Sequence, residues 1–180
     1  MPKAVFLDRD GTIIEDGGHL STPSQAVFIP GAFDALKRLQ EEFVLFIVTN
    51  QSGIAKGEIT AEDAERVNGY VVGRLAEAGV HIRDVFVCPH LREDGCPCIK
   101  PKPHFLHRAA EQYQIDLPAS FTVGDHPHDV EFARNVGGRG VYVLTGHGPN
   151  HRNELLPDVV IKPDICAAAE YILKVSADHG

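Results

Sequence analysis

The sequence has no surplus of positive charge: 17 Lys and Arg stand against 25 Asp and Glu, a net charge of −8 at neutral pH. A main partner that is nucleic acid or an anionic membrane needs a basic footprint, so both are set aside. Aromatic residues are few, at 7%, and no basic strip carries them, which counts against stacking on single strands. No apolar run approaches the ~20 residues that span a bilayer. The opening Met1-Pro2-Lys3 leads straight into an apolar run and lacks the build of a signal peptide. A cytoplasmic monomer with no membrane partner is expected. Internal repeats, low-complexity tracts and linkers are also missing. The 180 residues therefore read as one domain, 1–180, long enough to bury a full core. Cysteines number only four, three of them in one short window, and in a reducing cytosol clustered cysteines read as metal ligands before disulfides.

What is present alternates between two periods. Apolar runs at 4–7, 43–48, 85–87, 121–123, 140–144 and 159–161 read as strands. Helical spacing appears at 31–41, 103–114, 130–136 and 164–175. It appears also at 60–78, where Thr60-Ala-Glu-Asp63 resembles a capping box and Gly79 closes the helix. Strands alternating with helices at these lengths imply an α/β fold, a doubly wound, Rossmann-like parallel sheet with helices on both faces. In such sheets ligands bind outside the carboxyl ends of the strands. The polar departures fall there: Asp8 and Asp10 after the first strand, Thr49-Asn50 after the second, Lys100 after the third, and Asp125 after the fourth.

The opening stretch Ala4–Ile14 organises the rest. In extended backbone residues i and i+2 face the same way, so Asp8 and Asp10 can both project beyond the strand, with Gly11 allowing the turn. Two carboxylates this close need a cation, and an all-oxygen site suits Mg²⁺. A second cluster is Cys88-Pro-His90-Leu-Arg-Glu-Asp-Gly-Cys96-Pro-Cys98. Three thiolates and one imidazole supply the four ligands of a tetrahedral Zn²⁺, and with every position filled the zinc is structural. It would clip a loop too poor in apolar residues to fold alone. Cys166 precedes three alanines in a helical pattern and reads as a small buried residue. His19, His104, His126 and His128 have no clear geometry in the sequence and read as solvated or packing residues.

In order along the chain, Phe6-Leu-Asp-Arg-Asp-Gly-Thr12, the strand ending in Thr49-Asn50, Lys100-Pro101 and Gly124-Asp125 resemble the motifs of the haloacid dehalogenase-like phosphatases. The resemblance implies a phosphomonoesterase with Asp8 as nucleophile and Asp10 as general acid and base. It implies Mg²⁺ on Asp8, the backbone carbonyl of Asp10, and Asp125, with Thr49 and Lys100 on the phosphoryl oxygens. Asp129 would hold Lys100 or a metal-bound water. The zinc loop, Thr49-Asn-Gln-Ser-Gly-Ile-Ala55 and Lys100-Pro-Lys-Pro103 are similar to the branch without a cap domain. That branch contains the D-glycero-D-manno-heptose 1,7-bisphosphate 7-phosphatases and the histidinol-phosphate phosphatases. It implies closure by the loops 15–30, 51–60 and the zinc loop, and a small phosphorylated substrate, probed by Asn50, Gln51, Ser52 and Lys56. The chain departs from the heptose phosphatases on the substrate side: Ile99 and Lys56 stand where arginine is common, the helix after Lys-Pro-Lys-Pro starts His104-Phe105, and Pro127 is unusual. Heptose 1,7-bisphosphate is the leading substrate expectation and histidinol phosphate or another small ester the second. A polynucleotide 3′-phosphatase and a silent zinc-clipped module rank below them.

Overall fold

A computed structural model describes residues 1–178. Six parallel strands form a sheet: β1 (Ala4–Leu7), β2 (Val44–Asn50), β3 (Ile82–Cys88), β4 (Phe121–Gly124), β5 (Arg139–Val143) and β6 (Val160–Lys162). Their spatial order is β3-β2-β1-β4-β5-β6. The helices between them are α1 (Ala32–Leu39), α2 (Ala61–Glu77), α3 (His104–Tyr113), α4 (Pro127–Arg134) and the single turn α5 (Gly148–His151), and α6 (Ile165–Ala177) follows the last strand. Among the described residues no helix is long and apolar enough to cross a membrane.

Side chains alternate across each strand, so β1 feeds two cores. Val5 and Leu7 join Leu45, Ile47, Val123 and Val141 against α1, α2 and α6, where Leu36, Val67, Val71, Ala168 and Ile172 are buried. Ala4 and Phe6 face the other side with Phe46, Val48 and Phe86, covered by Phe105, Leu106 and Ala109 of α3. There Phe6, Phe46, Phe86 and Phe105 stack in sequence, with centroids 5.0, 6.0 and 5.2 Å apart. These two cores fix the strands in register, Phe6 beside Phe46 and Thr122, and so fix where the strands end.

The elements expected from periodicity are present with shifted bounds. β3 starts at Ile82, not at residue 85. It is an edge strand, so Arg83 and Asp84 interrupt its apolar run without ending the ladder. α4 starts at Pro127, not at residue 130. Pro at the first helical position and Asp129 in a capping box with His126 are start signals that an apolar-period reading passes over. The turn α5, which has no periodicity to reveal it, was not expected.

Candidate active site

β1 and β4 are neighbours: the chain runs outward from β1 through β2 to β3, then crosses back through α3 to place β4 on the other side of β1, which makes the carboxyl ends of β1 and β4 the switch point of the fold. Asp8 follows β1 and Asp125 follows β4. Both line a cavity of about 330 Å³ together with Asp10, Asn50, Gln51, Lys100 and Asp129.

Carboxylate oxygens of Asp8, Asp125 and Asp129 lie within 4.8 Å of one another. Lys100 Nζ donates to Asp8 Oδ1 at 2.7 Å and to Asp129 Oδ1 at 2.6 Å, and also to the carbonyl of Val48 at 3.1 Å. Burial opposes the charge on Lys100, but Asp129 and Asp8 outweigh it and raise its pKa. Burial pushes the Asp8 carboxyl up to about 6, with Lys100 pulling down and Asp129 pushing up. Burial, then Asp8 and Asp129, push Asp125 up to about 8. Three acids, two buried and Asp8 half-buried, stand against one lysine, and oxygen donors at this spacing fit a hard divalent cation.

Backbone shape keeps Asp125 in place. Gly11 and Gly146 have φ of +75° and +54°, and a Cβ on either would overlap the Asp125 carboxylate. Any other residue at these two turns would be strained and would displace a charged group. His147 N donates to Asp125 Oδ2 at 2.7 Å.

Asp10 has its own support. Arg9, fully buried, places Nε and Nη2 on the Asp10 carboxylate at 2.9 to 3.2 Å. Arg9 Nη1 donates to Asn68 Oδ1 of α2 at 2.7 Å, and Gln51 Nε2 donates to Asp10 Oδ2 at 2.8 Å. Burial raises the Asp10 pKa while Arg9 and Gln51 oppose the shift. Arg9 and Asn68 were not among the expected site residues. A charged residue between two site acids, followed by a buried polar position in α2, is the signal that was available.

Thr49 is fully buried, and its Oγ1 accepts from Gln51 Nε2 at 2.9 Å. Asn50 and Gln51 line the cavity; Ser52 and Lys56 do not. The turn after β2 folds back through Glu58 N to Gly53 O, which carries Lys56 out to solvent.

Three loops were expected to frame the opening, and each contributes: Asp16, Gly18 and His19 from the first, Gln51 from the second, Arg92 from the cysteine loop. Two further segments join them, the start of α4 with His126 and His128, and the turn before α5 with His147. Of the histidines expected to be solvated or packing, His104 is exposed on α3, whereas His19, His126 and His128 line the cavity. His126 stacks on His128 with centroids 4.4 Å apart and lies 4.5 Å from His151. Burial and the neighbouring rings lower His126 to about 4, so it is a neutral imidazole at neutral pH. His147 Nε2 reaches Asp16 at 2.8 Å and His19 Nε2 reaches Glu58 at 3.3 Å, tying loops together across the opening. Only folding brings these separated positions together.

Beside the cavity, Cys88, His90, Cys96 and Cys98 converge. Their sulfur atoms are 3.3 to 3.6 Å apart, and His90 Nδ1 is 3.4 and 3.8 Å from Cys98 and Cys88. A tetrahedral centre with metal–sulfur bonds of about 2.3 Å puts its ligands about 3.8 Å apart, so the cluster has the size of a closed zinc site. Burial pushes the Cys88 and Cys98 thiols up, and a bound cation is what allows them to ionise.

Residues 97–169 match the HAD-hydrolase-like family. The chain is 36% identical over 174 residues to a D-glycero-beta-D-manno-heptose-1,7-bisphosphate 7-phosphatase of Pseudomonas putida, covering 95% of this chain and 99% of that one. The chain belongs to the HAD-like phosphatases. Another member, the Escherichia coli K12 enzyme of the same name, is 36% identical, with 97% and 90% of the two chains covered. Among solved members of the HAD-like phosphatases, D,D-heptose 1,7-bisphosphate phosphatase of B. bronchiseptica, complexed with magnesium and phosphate, superposes with a TM-score of 0.88 at 31% identity. That match covers 96% of this chain and 99% of the other.

Proposed function

We propose that the chain is a Mg²⁺-dependent phosphomonoesterase that removes the 7-phosphate of D-glycero-D-manno-heptose 1,7-bisphosphate. The observation that carries the chemistry is Asp8 at the switch point, in contact with Lys100 and within reach of two further acids. The substrate reading is supported by relatives of that name over almost the full length of the chain.

Mg²⁺ would be held by Asp8, the backbone carbonyl of Asp10, and Asp125, and would offset the charge repulsion between an anionic nucleophile and an anionic phosphate. The chain's own residues do the rest. An Asp8 carboxylate oxygen attacks phosphorus, and the bond from phosphorus to the sugar oxygen breaks. Asp10 gives its proton to that departing oxygen. Asp10, now a carboxylate, takes a proton from water as the water attacks the aspartyl phosphate, which restores Asp8 and leaves inorganic phosphate. Lys100 lies against Asp8 and neutralises the transferring oxygens. Asp129 holds Lys100 for that task. The Thr49 hydroxyl accepts from Gln51 and so keeps its own proton to donate to a phosphoryl oxygen. Asn50 and Gln51 contact substrate from the wall. Gln51 and Arg9 fix the rotamer of Asp10.

The cysteine cluster would hold one structural Zn²⁺ that clips the loop carrying Arg92 beside the opening. The substrate is a small soluble phosphate ester, and a monomer without nucleic-acid or membrane partners suffices for this reaction. The test is phosphate release, with magnesium, from heptose 1,7-bisphosphate, heptose 7-phosphate, histidinol phosphate and a 3′-phosphorylated oligonucleotide. The bisphosphate should have the highest kcat/KM. Equal weak turnover of all four would reject the substrate, and no release from any would reject the activity.

A further inference from the structure

Charge is divided unequally between the buried and the open end of the cavity. The buried end holds Asp125 and Asp129. Two permanent cations line the cavity, Lys100 and Arg92. Lys100 is committed to Asp8 and Asp129. Arg92 is exposed, and among the described residues no carboxylate lies within ion-pair distance of it. Its neighbour Asp94 is turned back on the loop, accepting from Leu91 N at 2.8 Å.

Arg92 is nevertheless held. Its Nη2 lies 3.0 Å from His128 Nδ1. A guanidinium has donors only, so the ring nitrogen accepts. This bond links the cysteine loop to the first turn of α4 and uses one nitrogen of a guanidinium that lines the cavity. Other nearby cations are unsuited to the place. Lys102 Nζ is engaged by the carbonyls of Gly95 and Cys96 at 2.9 and 2.7 Å. Lys56 is outside the lining. The residue before Lys100 is Ile99, buried in the aromatic core.

We propose that Arg92, positioned by His128, binds the second phosphate of the substrate, the one that is not cleaved, and thereby selects bisphosphates over monophosphates. This rests on the phosphatase reading above. A planar fork of N–H donors matches phosphate oxygens in pairs, and a fork already oriented loses less freedom on binding.

The test compares wild type, R92A and R92K on heptose 1,7-bisphosphate and heptose 7-phosphate. Charge-assisted hydrogen bonds of this kind correspond to about a 10- to 100-fold effect. R92A should therefore lower the ratio of kcat/KM between bisphosphate and monophosphate by about that factor, mainly through KM on the bisphosphate, and R92K should recover part of it. Calorimetry on D8N and D8N/R92A with the same compounds reads the same ratio as Kd without turnover. H128A should give a smaller loss in the same direction. An unchanged ratio in R92A, whether both activities persist or fall together, would overturn the role of Arg92. Failure of the wild type on both compounds would instead reject the phosphatase reading, and the calorimetric ratio would still decide on Arg92.

Discussion

Removing the Arg9 guanidinium should be costly in a way that reports on Asp10. Arg9 is fully buried, bonds both carboxylate oxygens of Asp10, and reaches Asn68 on α2. R9M keeps most of the side-chain volume and removes every donor. Breaking a buried pair from one side costs about 3–5 kcal/mol because a charge is left without its partner. Asp10 is 15% exposed on its side chain and keeps Gln51, so the cost is discounted below that range, to about 2–3 kcal/mol. The unpaired Asn68 amide adds about 1 kcal/mol. The sum, about 3–4 kcal/mol, corresponds to a fall in Tm of about 6–16 °C for a chain of this size. Urea denaturation of R9M, D10N and R9M/D10N forms the cycle. If the loss comes from an unpaired carboxylate, D10N relieves it, and the double variant is more stable than the sum of the single effects by about 1–3 kcal/mol. An R9M cost below about 1 kcal/mol, or strict additivity, would refute the reasoning.

Three other outcomes are expected. Asp125 is raised to about 8, so the folded protein binds more protons than the unfolded chain above the ordinary carboxyl range. Without magnesium, stability then falls by about 1 kcal/mol net as pH rises from about 6.5 to 8; the lowered His126 and His128 oppose the fall by about 0.4 kcal/mol each, because their unfolded imidazoles lose protons in the lower half of that window. Thermal melts across that window read the fall; added magnesium should restore more at pH 8 than at pH 6.5, and a magnesium-free protein that gains stability would contradict the assignment. C98S leaves three ligands in the cysteine cluster, so metal analysis should find well under the one zinc per chain of the wild type, and limited proteolysis should cut within 89–99; full zinc retention would refute the site. D129N keeps the shape but takes one of two anions from Lys100, and steady-state kinetics should show kcat lower by about 10- to 100-fold, whereas unchanged kcat would remove Asp129 from the support of Lys100.

Much of the fold was legible because it depends on short-range patterns. The runs at 4–7 and 43–48 read as buried strands by their length and apolar content, and helices between strands of one sheet imply parallel order. Asp8 and Asp125 were legible because a strand's carboxyl end is a position in sequence as well as in space, whereas Lys100 lies beyond the cysteine loop that follows β3 and was marked by its place in the order of motifs. Arg9 was harder to read. A charged residue after a strand is usually solvated, and its burial depends on Asn68 of α2, 59 residues away. The histidines were unreadable for a similar reason: His19, His126, His128 and His147 come from three segments that meet only at the opening. The cis geometry of Lys100–Pro101 has no sequence signal of its own. Ser52 and Lys56 show the converse, since a motif placed them near substrate while the turn through Gly53 and Glu58 directs Lys56 to solvent.

Covalent transfer of the phosphoryl group to Asp8 is the step on which the proposed chemistry stands. Acid quench during turnover of heptose 1,7-bisphosphate, followed by peptide mapping, should find phosphate on the peptide that carries Asp8 in the wild type and none in D8N, which should release no phosphate. Steady turnover by D8N, or label on a peptide lacking Asp8, would contradict the account.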